Sequence, residues 1–370
     1  MDEKIYWIWL SGIDDMWSKK MEVLFDYFTC ASEIYEANEN TLLSIVDDYE
    51  KAGKKGMFNE KDVKNILDKN KSRRTLEKNI RIMEKENIKI TYKDSSDFPS
   101  RLKYLNIPVF ALYYSGELPS GKNVAVIGAR GCTDYGKKYA KIVGENLSKG
   151  NINVISGMAR GIDTHGMLGA LKAGGKVYGV LGCGVNICYP AENMEMYEAL
   201  KKRGGIISEF PPDSKPLAWH FPLRNRIISG LSDCICVIEA RKKSGSLITV
   251  AYALGEGKEV FALPGRVDDA LSVGCNELIR DGANIVFDGR EIVFSLTGNE
   301  IKKVEKDIFK EMNLDDEQKK ILGILTSRPQ SIEEISRKSN IEITHIRSVL
   351  LGLDMLDLIA EVAKDYYVLN

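Results

Sequence analysis

Hydrophobic positions recur at helical spacing in the first part of the chain. Between Trp17 and Phe28, and again between Val63 and Ile82, apolar residues return with the period of an amphipathic helix. The glycine- and lysine-rich segment Lys51–Gly56 is typical of a connector between helices. The pattern predicts a helical domain over residues 1–82, of the sterile-alpha-motif-like (SAM-like) or helix-hairpin-helix-like kind.

Residues 85–295 change character, because short apolar runs now alternate with helical patterns. Several runs are almost wholly hydrophobic, as expected of parallel strands buried on both faces. The predicted strands are Lys89–Tyr92, Ala111–Tyr114, Val124–Gly128, Asn153–Ser156, Val177–Gly182, Gly205–Ser208, Cys234–Glu239, Glu259–Leu263 and Asn284–Phe287. The helices predicted between them are Gly136–Lys149, Asp163–Ala173, Met194–Arg203 and Ile248–Glu256. This alternation predicts an α/β fold with an extended Rossmann-like, doubly wound and mostly parallel sheet.

The last part of the chain has a third pattern. Residues 290–312 are charged and weakly periodic, which predicts a linker. Residues 314–370 follow with three helical patterns and a terminal pair of short strands, which is typical of a winged-helix domain. The third helix, Thr344–Leu356, is expected to begin at Thr344, since threonine is a good N-cap residue.

Composition restricts where the protein works. The chain has 370 residues, of which 44% are hydrophobic and 28% charged, and this is ordinary for a soluble globular protein. It has no apolar run long enough to span a membrane, and Met1–Lys4 lacks the layout of a signal peptide. Seven scattered cysteines without paired spacing favour reduced thiols. We therefore expect a cytoplasmic protein without membrane contact. With a net charge of −1, any anion-binding surface must be local.

Two loops in succession join a predicted strand to a predicted helix through small residues and one arginine. The first is Gly128–Gly131, which contains Arg130, and the second is Ser156–Asp163, which contains Arg160. Backbone N–H groups and a helix N-terminus in such a loop can hold a phosphate, and Asp163 is the expected N-cap of the second helix. In a doubly wound sheet both loops emerge at the carboxyl edge, beside the point where the strand order reverses.

Two further segments have the same chemistry. In Phe221–Gly230, Arg224 and Arg226 flank an asparagine at a predicted helix start, and aromatic residues lie just ahead of them in the sequence. Cations beside aromatic side chains suit a groove that follows a nucleic-acid backbone while bases stack, although the aromatic residues fit a core equally well. In Lys242–Thr249, a Ser-Gly-Ser sequence opens a helix and forms a generic anion cradle.

Catalytic and cofactor signatures are scarce. The chain contains neither a dinucleotide-binding G-x-G-x-x-G at the first parallel strand nor a P-loop, and it has no G-x-S-x-G. It has only three histidines and no metal-ligand spacing, and Cys234 and Cys236 are expected to be core thiols on one strand. We therefore expect no catalytic residue, no metal and no cofactor.

Taken together, the loops resemble the DNA-processing protein A family (DprA, also called Smf). The matching segments, in order, are Val126–Gly131, Ser156–Asp163, Tyr189-Pro190 with Asn193, Ser208-Glu209, Phe221–Ser232, Glu239-Ala240, Ser244–Thr249, Val260–Gly265 and Gly274–Gly282. The resemblance implies a non-catalytic homodimer that binds single-stranded DNA regardless of sequence, protects it and loads the RecA recombinase during natural transformation. The residues that it implies for nucleic-acid binding are Arg130, Ser156, Gly157, Met158, Ala159, Arg160, Gly161, Lys215, Phe221, Arg224, Asn225, Arg226, Ser244, Gly245 and Ser246. From this we predict that Arg130→Ala or Arg160→Ala weakens DNA binding at least tenfold, or about 1.4 kcal/mol.

Two alternatives remain open from the sequence. The sheet also resembles nucleotide phosphoribohydrolases, but the corresponding stretch, Ala240–Ile248, lacks the glutamate that ends their motif. The winged helix could instead read duplex DNA as a transcription regulator does, with Thr344–Leu356 as the recognition helix. That helix carries His345 and Arg347 but also Asp354, and is therefore poorly basic.

Overall fold

The computed structural model describes residues 2–54, 56–300, 314–326, 328–356 and 358–369. The chain divides into two compact units, one ending at residue 301 and the other beginning at residue 302. None of the described helices is long and apolar enough to cross a membrane. The domain limits expected at residues 82–85 and 295–314 remain predictions.

The first unit opens with short helices, as the hydrophobic periodicity predicts. They are α1 (Glu3–Ser11), α2 (Ser18–Phe25), α3 (Ala31–Glu36), α4 (Glu39–Lys51), α5 (Glu60–Leu67) and α6 (Lys69–Lys85). Side chains of Asn38, Asn59 and Asp68 cap α4, α5 and α6 by accepting backbone N–H groups of the first turn. The connector after α4 lies where the sequence predicts it.

These helices pack directly on one edge of the sheet. The Trp7 ring stacks between Phe25 of α2 and Tyr92 of the first strand, with ring centroids 5.1 and 5.5 Å away. The Ser11 hydroxyl lies 2.6 Å from the hydroxyl of buried Tyr113. Aromatic contacts of this kind contribute about 0.5–1.5 kcal/mol each beyond the area that they bury. The helical segment and the sheet therefore share one hydrophobic core.

Within the described residues, nine strands form one sheet. They are β1 (Lys89–Tyr92), β2 (Ala111–Gly116), β3 (Asn123–Ile127), β4 (Asn153–Ser156), β5 (Val177–Val180), β6 (Gly204–Ser208), β7 (Cys234–Val237), β8 (Glu259–Ala262) and β9 (Asn284–Ile285). Their order is β1-β2-β6-β5-β4-β3-β7-β8-β9. In the part of this order that runs from β6 through β5, β4, β3, β7 and β8 to β9, all neighbouring strands are parallel. Strands β1 and β2 add an antiparallel edge. This confirms the extended Rossmann-like, mostly parallel sheet.

Helices cover both faces of the sheet. They are α7 (Asp134–Lys149), α8 (Ile162–Lys172), α9 (Met194–Lys202), α10 (His220–Leu231), α11 (Ser246–Gly255), α12 (Val273–Arg280) and α13 (Arg290–Thr297). All four residues of β5 and of β7 are buried, which explains their unbroken hydrophobic runs. As expected, Cys234 and Cys236 are core thiols.

The linker predicted over residues 290–312 is wrong in its first part. Residues Arg290–Thr297 form α13, which buries Ile292 and Val293 and contacts α7. The helix is short and precedes a charged stretch, so its periodicity is weak, and packing against α7 stabilises it. The rest of the predicted linker, residues 301–312, lies outside the described residues.

The second unit is a winged helix. It contains α14 (Asp316–Ile324), β10 (Gln330–Ser331), α15 (Ile332–Ser339), α16 (Ile343–Met355), β11 (Ile359–Ala363) and β12 (Tyr366–Leu369). Strands β11 and β12 form the terminal hairpin, and β10 pairs with β12. The N-cap predicted at Thr344 is wrong, because α16 begins at Ile343. Glu342, in extended backbone, occupies the cap position without a side-chain hydrogen bond.

Candidate nucleic-acid interface

A cavity of about 560 Å³ lies at the carboxyl ends of β3, β4 and β7. Strand β3 has β4 on one side and β7 on the other, so the chain crosses over here and leaves a crevice between the following loops. The lining residues are Ile127, Gly128, Arg130, Ala159, Asp163, Tyr189, Pro216, Ala218, Phe221, Pro222, Arg224, Asn225, Ile228, Ser244, Gly245, Ser246, Ile248 and Thr249. We call this cavity the groove.

One part of the groove combines a cation with two aromatic rings. Arg130 is exposed, and its guanidinium carbon lies 5.8 Å from the centroid of the Phe221 ring. The Phe221 ring lies 5.4 Å from that of Tyr189. Phe221 is half-buried, so its ring belongs to the groove surface and not wholly to the core, which settles the choice that the sequence left open. Tyr189 is a site residue that the sequence reasoning did not select.

The N-terminus of α11 forms another part of the groove. Gly245 is exposed at its N-cap position, and no atom lies within 4 Å of the place where a β-carbon would stand. The hydroxyls of Ser244 and Ser246 are 2.7 Å apart, and the Asn225 side chain donates to the Gly245 carbonyl at 3.2 Å. The first-turn N–H groups of Ser246 and Leu247 already donate to the hydroxyl and the carbonyl of Ser244, at 3.4 and 3.1 Å. What this helix end offers to an anion is its dipole and the two hydroxyls.

The second loop binds a carboxylate of its own. Asp163 was expected to cap α8, but the helix begins at Ile162 with Gly161 as its N-cap. The Asp163 carboxylate instead accepts the backbone N–H groups of Gly157 and Ala159, at 3.0 and 3.4 Å. These N–H groups are therefore engaged within the protein. Burial raises the pKa of Asp163, while the nearby Arg224 opposes that rise.

Arg224 maintains the shape of this loop from beneath. Its side chain is buried and donates to the carbonyls of Gly157, at 3.0 Å, and of Val180. A β-carbon at Gly157 would lie 2.5 Å from the guanidinium, so glycine is required there. Burial lowers the pKa of Arg224 to about 10, although the nearby Asp163 carboxylate opposes this decrease. Arg224, predicted as a nucleic-acid contact, thus lies at the base of the groove with its side chain hydrogen-bonded to the protein itself.

The backbone of the second loop is fixed by its neighbours. Ser156 is a predicted nucleic-acid contact, but its side chain is buried and its hydroxyl donates to the Val126 carbonyl. This hydroxyl is therefore not available to a ligand. Met158 has a φ of 55° and a fully buried side chain. Gly161 has a φ of 75°, and a β-carbon there would lie 2.3 Å from the Ala129 carbonyl oxygen. The first and second loops therefore touch, and only glycine permits the contact.

A buried glutamate is hydrogen-bonded to the N-terminus of α7. This helix begins at Asp134 and not at the predicted Gly136. Glu239 accepts the backbone N–H of Thr133 at 2.9 Å, and the Thr133 side chain caps the helix. A β-carbon on Gly136 would lie 2.4 Å from a Glu239 oxygen. This helix end is consequently occupied, and only the Arg130 side chain of the first loop reaches the groove. Glu239 follows β7 directly, yet nothing in the local sequence shows that it faces α7.

Arg226 does not line the groove, contrary to its predicted role. Its side chain is 1% exposed and lies 2.7 Å from Glu209, in a buried ion pair that also includes Ser18 of α2. Two residues along an α-helix correspond to a rotation of about 200°, so α10 directs the two arginines to different surroundings. Arg226 joins α10 to the N-terminal helices.

Two other predicted cations lie at the rim. Arg160 is exposed, and its guanidinium Nε lies 2.7 Å from a Glu192 oxygen. It lines a smaller hollow of about 50 Å³ that shares Arg130, Tyr189 and Phe221 with the groove. Lys215 is exposed next to the groove residue Pro216. The structure thus brings most of the predicted residues to one place but divides them into an exposed set and a buried, supporting set.

The fold and the groove together define a Rossmann-type protein whose sheet edge brings an exposed arginine, aromatic rings and a helix N-terminus into one cavity. The model of the family "DNA recombination-mediator protein A" matches residues 89–297, and that of the "DprA winged helix domain" matches residues 310–363. The chain belongs to the DNA recombination-mediator protein A family.

Individual relatives agree with this assignment. The DNA processing protein DprA of Bacillus subtilis is 36% identical over 214 residues, which cover 57% of this chain and 72% of that protein. The X-ray structure of DprA from Streptococcus pneumoniae has a TM-score of 0.63 and 29% identity, covering 80% of this chain and 98% of that one. DNA processing protein A from Helicobacter pylori, whose structure describes its single-stranded DNA binding mode, has a TM-score of 0.52 and 28% identity, covering 58% and 98%.

Proposed function

We propose that the groove binds single-stranded DNA through its backbone and stacked bases, independently of sequence. The observation that carries the proposal is the meeting of Arg130, Phe221 and Tyr189 with the N-terminus of α11 and its serine hydroxyls in one cavity. Arg130 and the helix end suit phosphates. The aromatic rings suit bases, which expose their faces only when they are unpaired. A ligand with both features is a single strand.

Support also comes from the relatives. The Helicobacter pylori protein is described by its single-stranded DNA binding mode, and its structure covers 58% of this chain. We infer further that this protein protects incoming strands and loads the RecA recombinase onto them in the cytoplasm during natural transformation and recombination. We also infer that it works as a homodimer.

The first test is a fluorescence-anisotropy titration with poly-dT, with a mixed-sequence single strand and with a matched duplex, at low and moderate salt. We expect similar, salt-sensitive affinities for the two single strands and weaker binding of the duplex. Preference for the duplex would assign DNA binding to the winged helix instead. A large difference between the two single strands would contradict binding without base readout.

RecA loading has a separate test. RecA ATP hydrolysis is measured on a single strand that is already coated with single-strand-binding protein. We expect the wild-type protein to restore hydrolysis and the Arg130→Ala variant to restore much less, because loading requires the strand to be held. If the wild-type protein binds the strand tightly but leaves RecA inactive, the loading role is wrong and the binding role stands.

The winged helix is a weaker candidate for the DNA-binding surface. Arg347 of α16 is paired with Asp365 at 2.9 Å, and His345 lies 2.7 Å from Glu317. The same helix exposes Leu351 and Met355, whose side chains contribute nothing to phosphate binding. We therefore propose that α16 contacts protein and not the duplex major groove.

We also propose that the groove is not catalytic. Its buried carboxylates, Asp163 and Glu239, are each held by backbone N–H groups and hydroxyls of the protein itself. A phosphoribohydrolase needs a carboxylate that faces the sugar, and no exposed one lines the groove within the described residues. Incubation with AMP tests this: release of free adenine would restore the enzyme hypothesis.

Glu192→Gln is expected to tighten single-stranded DNA binding about two- to fivefold. Glu192 neutralises the exposed Arg160 at the rim, and breaking a surface ion pair of up to about 1 kcal/mol releases that guanidinium for a phosphate. Glu195→Gln is the control, because it removes the same charge from an exposed position nearby. An equal gain in both variants would mean a general charge effect, and no gain would place Arg160 outside the DNA path.

A further inference from the structure

Helix α6 (Lys69–Lys85) is strongly basic. It contains seven basic and two acidic residues, a net charge of +5 in a chain whose net charge is −1. Six of the basic residues are exposed, and four of these recur at helical spacing. They are Arg74, Lys78, Arg81 and Lys85, and we call them the α6 stripe.

The α6 stripe is narrow and points away from the core. At 3.6 residues per turn its four positions lie within about 60° of arc, and they extend for about 16 Å along the helix. The buried positions on the opposite side of the helix are Ser72, Asn79 and Met83. Packing therefore fixes the direction in which the stripe faces.

Most of the stripe is not neutralised. Among the described residues, Arg74, Arg81 and Lys85 form no ion pair. The two acidic residues of α6 lie to the side of the stripe, and one of them, Glu77, pairs with Arg73. A helix face that serves only solubility usually mixes charges of both signs, which pair along the helix.

The α6 stripe lies beside the groove wall. Lys78 Nζ is 2.7 Å from an oxygen of Asp213, which is also hydrogen-bonded to Asn186 at 2.8 Å. Asp213 belongs to the segment between β6 and α10, and Pro216 and Ala218 of this segment line the groove. The segment that lines the groove therefore contacts the stripe at Lys78.

The segment itself continues the same chemistry. Lys215 is exposed, and no ion pair of its side chain is found in the described part of the chain. Trp219 is 51% exposed and immediately precedes the helix that carries Phe221. A cation and an aromatic ring therefore lie on the segment between the groove and the α6 stripe, and both are suited to contacts with a single strand.

We propose that the α6 stripe is a second phosphate-binding surface, which extends the single-stranded DNA path outward from the groove past Lys215. This inference rests on the proposed function of the groove. The stripe holds only the backbone and reads no bases, because its cations stand on a convex helix with no aromatic neighbour among them. At about 3.4 Å per phosphate of a stacked strand, its 16 Å length corresponds to about five nucleotides.

The test compares two triple variants with the wild-type protein. Arg74→Gln, Arg81→Gln and Lys85→Gln together neutralise the unpaired part of the stripe. Lys149→Gln, Lys172→Gln and Lys202→Gln remove the same charge from the ends of α7, α8 and α9, which lie at the amino edge of the sheet, away from the groove. Binding of dT oligomers of about 6 and about 20 nucleotides is followed over a range of salt concentrations, and thermal unfolding confirms that both variants fold.

We expect the stripe variant to bind the long oligomer about tenfold more weakly and the short one as the wild type does. Its slope of log affinity against log salt should fall by about 2, since each lost single-strand phosphate contact removes about 0.7. The control should match the wild type for both lengths. Unchanged affinity and slope for the long oligomer, or an equal loss for both lengths, would overturn the extension while the groove proposal stands. Failure of the wild-type protein to bind either oligomer would refute the groove proposal, and this one with it.

Discussion

The Arg130→Ala variant is expected to bind single-stranded DNA at least tenfold more weakly than the wild-type protein, a loss of about 1.4 kcal/mol or more. Arg130 is exposed in the groove and adjoins the Phe221 ring. Asp163 and Glu239 already accept the N–H groups of Gly157, Ala159 and Thr133 in the loops after β4 and β3. The charged side-chain donors of these two loops are Arg130 and Arg160, and only Arg160 is ion-paired among the described residues.

The two kinds of contact in the groove can be separated. Anisotropy titrations at several salt concentrations should show a lower salt slope for Arg130→Ala, by about 0.7 for one lost contact. Phe221→Ala should lose about 1–3 kcal/mol of binding with the salt slope unchanged, since it removes stacking and no charge. Arg203→Ala, at the far end of α9, is the control for loss of one arginine. Wild-type affinity in Arg130→Ala would exclude the groove as the binding site.

Arg226→Ala is expected to lower the free energy of unfolding by about 3–5 kcal/mol. The substitution removes one partner of the buried pair with Glu209 and leaves a carboxylate that is only 13% exposed without its cation. It also breaks the link to Ser18, through which α10 contacts the N-terminal helices. Urea unfolding, followed by tryptophan fluorescence, measures the change.

A second substitution shows whether charge or volume is responsible. Arg226→Met combined with Glu209→Gln removes both charges while keeping most of the volume, and it should recover a large part of the lost stability. Arg241→Ala, at an exposed position, should change the free energy of unfolding by less than about 0.5 kcal/mol. If Arg226→Ala lost DNA affinity and no stability, the sequence-based role of Arg226 as a phosphate contact would be restored.

Local patterns predicted the fold well because they depend on short-range physics. The hydrophobic runs of β5 and β7 identify strands buried on both faces, and the helical spacing in residues 63–82 identifies α5 and α6. The small α13 was missed, since its stability comes from packing against α7 and not from its own periodicity.

The site was predicted as a set of loops but not as a set of donors. Glycines and arginines after each strand marked the loops correctly, because a close backbone approach needs small residues wherever it occurs. Whether an arginine of α10 faces the groove or the core depends on the partners that the fold brings to it. Arg224 contacts Gly157 and also Val180, which is 44 residues away in the sequence. Arg226 contacts Glu209, which is 17 residues away.

The sequence by itself therefore determined the order of the elements, the parallel sheet and the place of the groove at its carboxyl edge. The tertiary structure decided which polar groups remain free there. Buried carboxylates must be satisfied by hydrogen bonds, so Asp163 and Glu239 accept N–H groups of Gly157, Ala159 and Thr133 that could otherwise hold a phosphate. Arg130, Phe221 and the serine hydroxyls at the N-terminus of α11 line the groove, where a ligand can reach them.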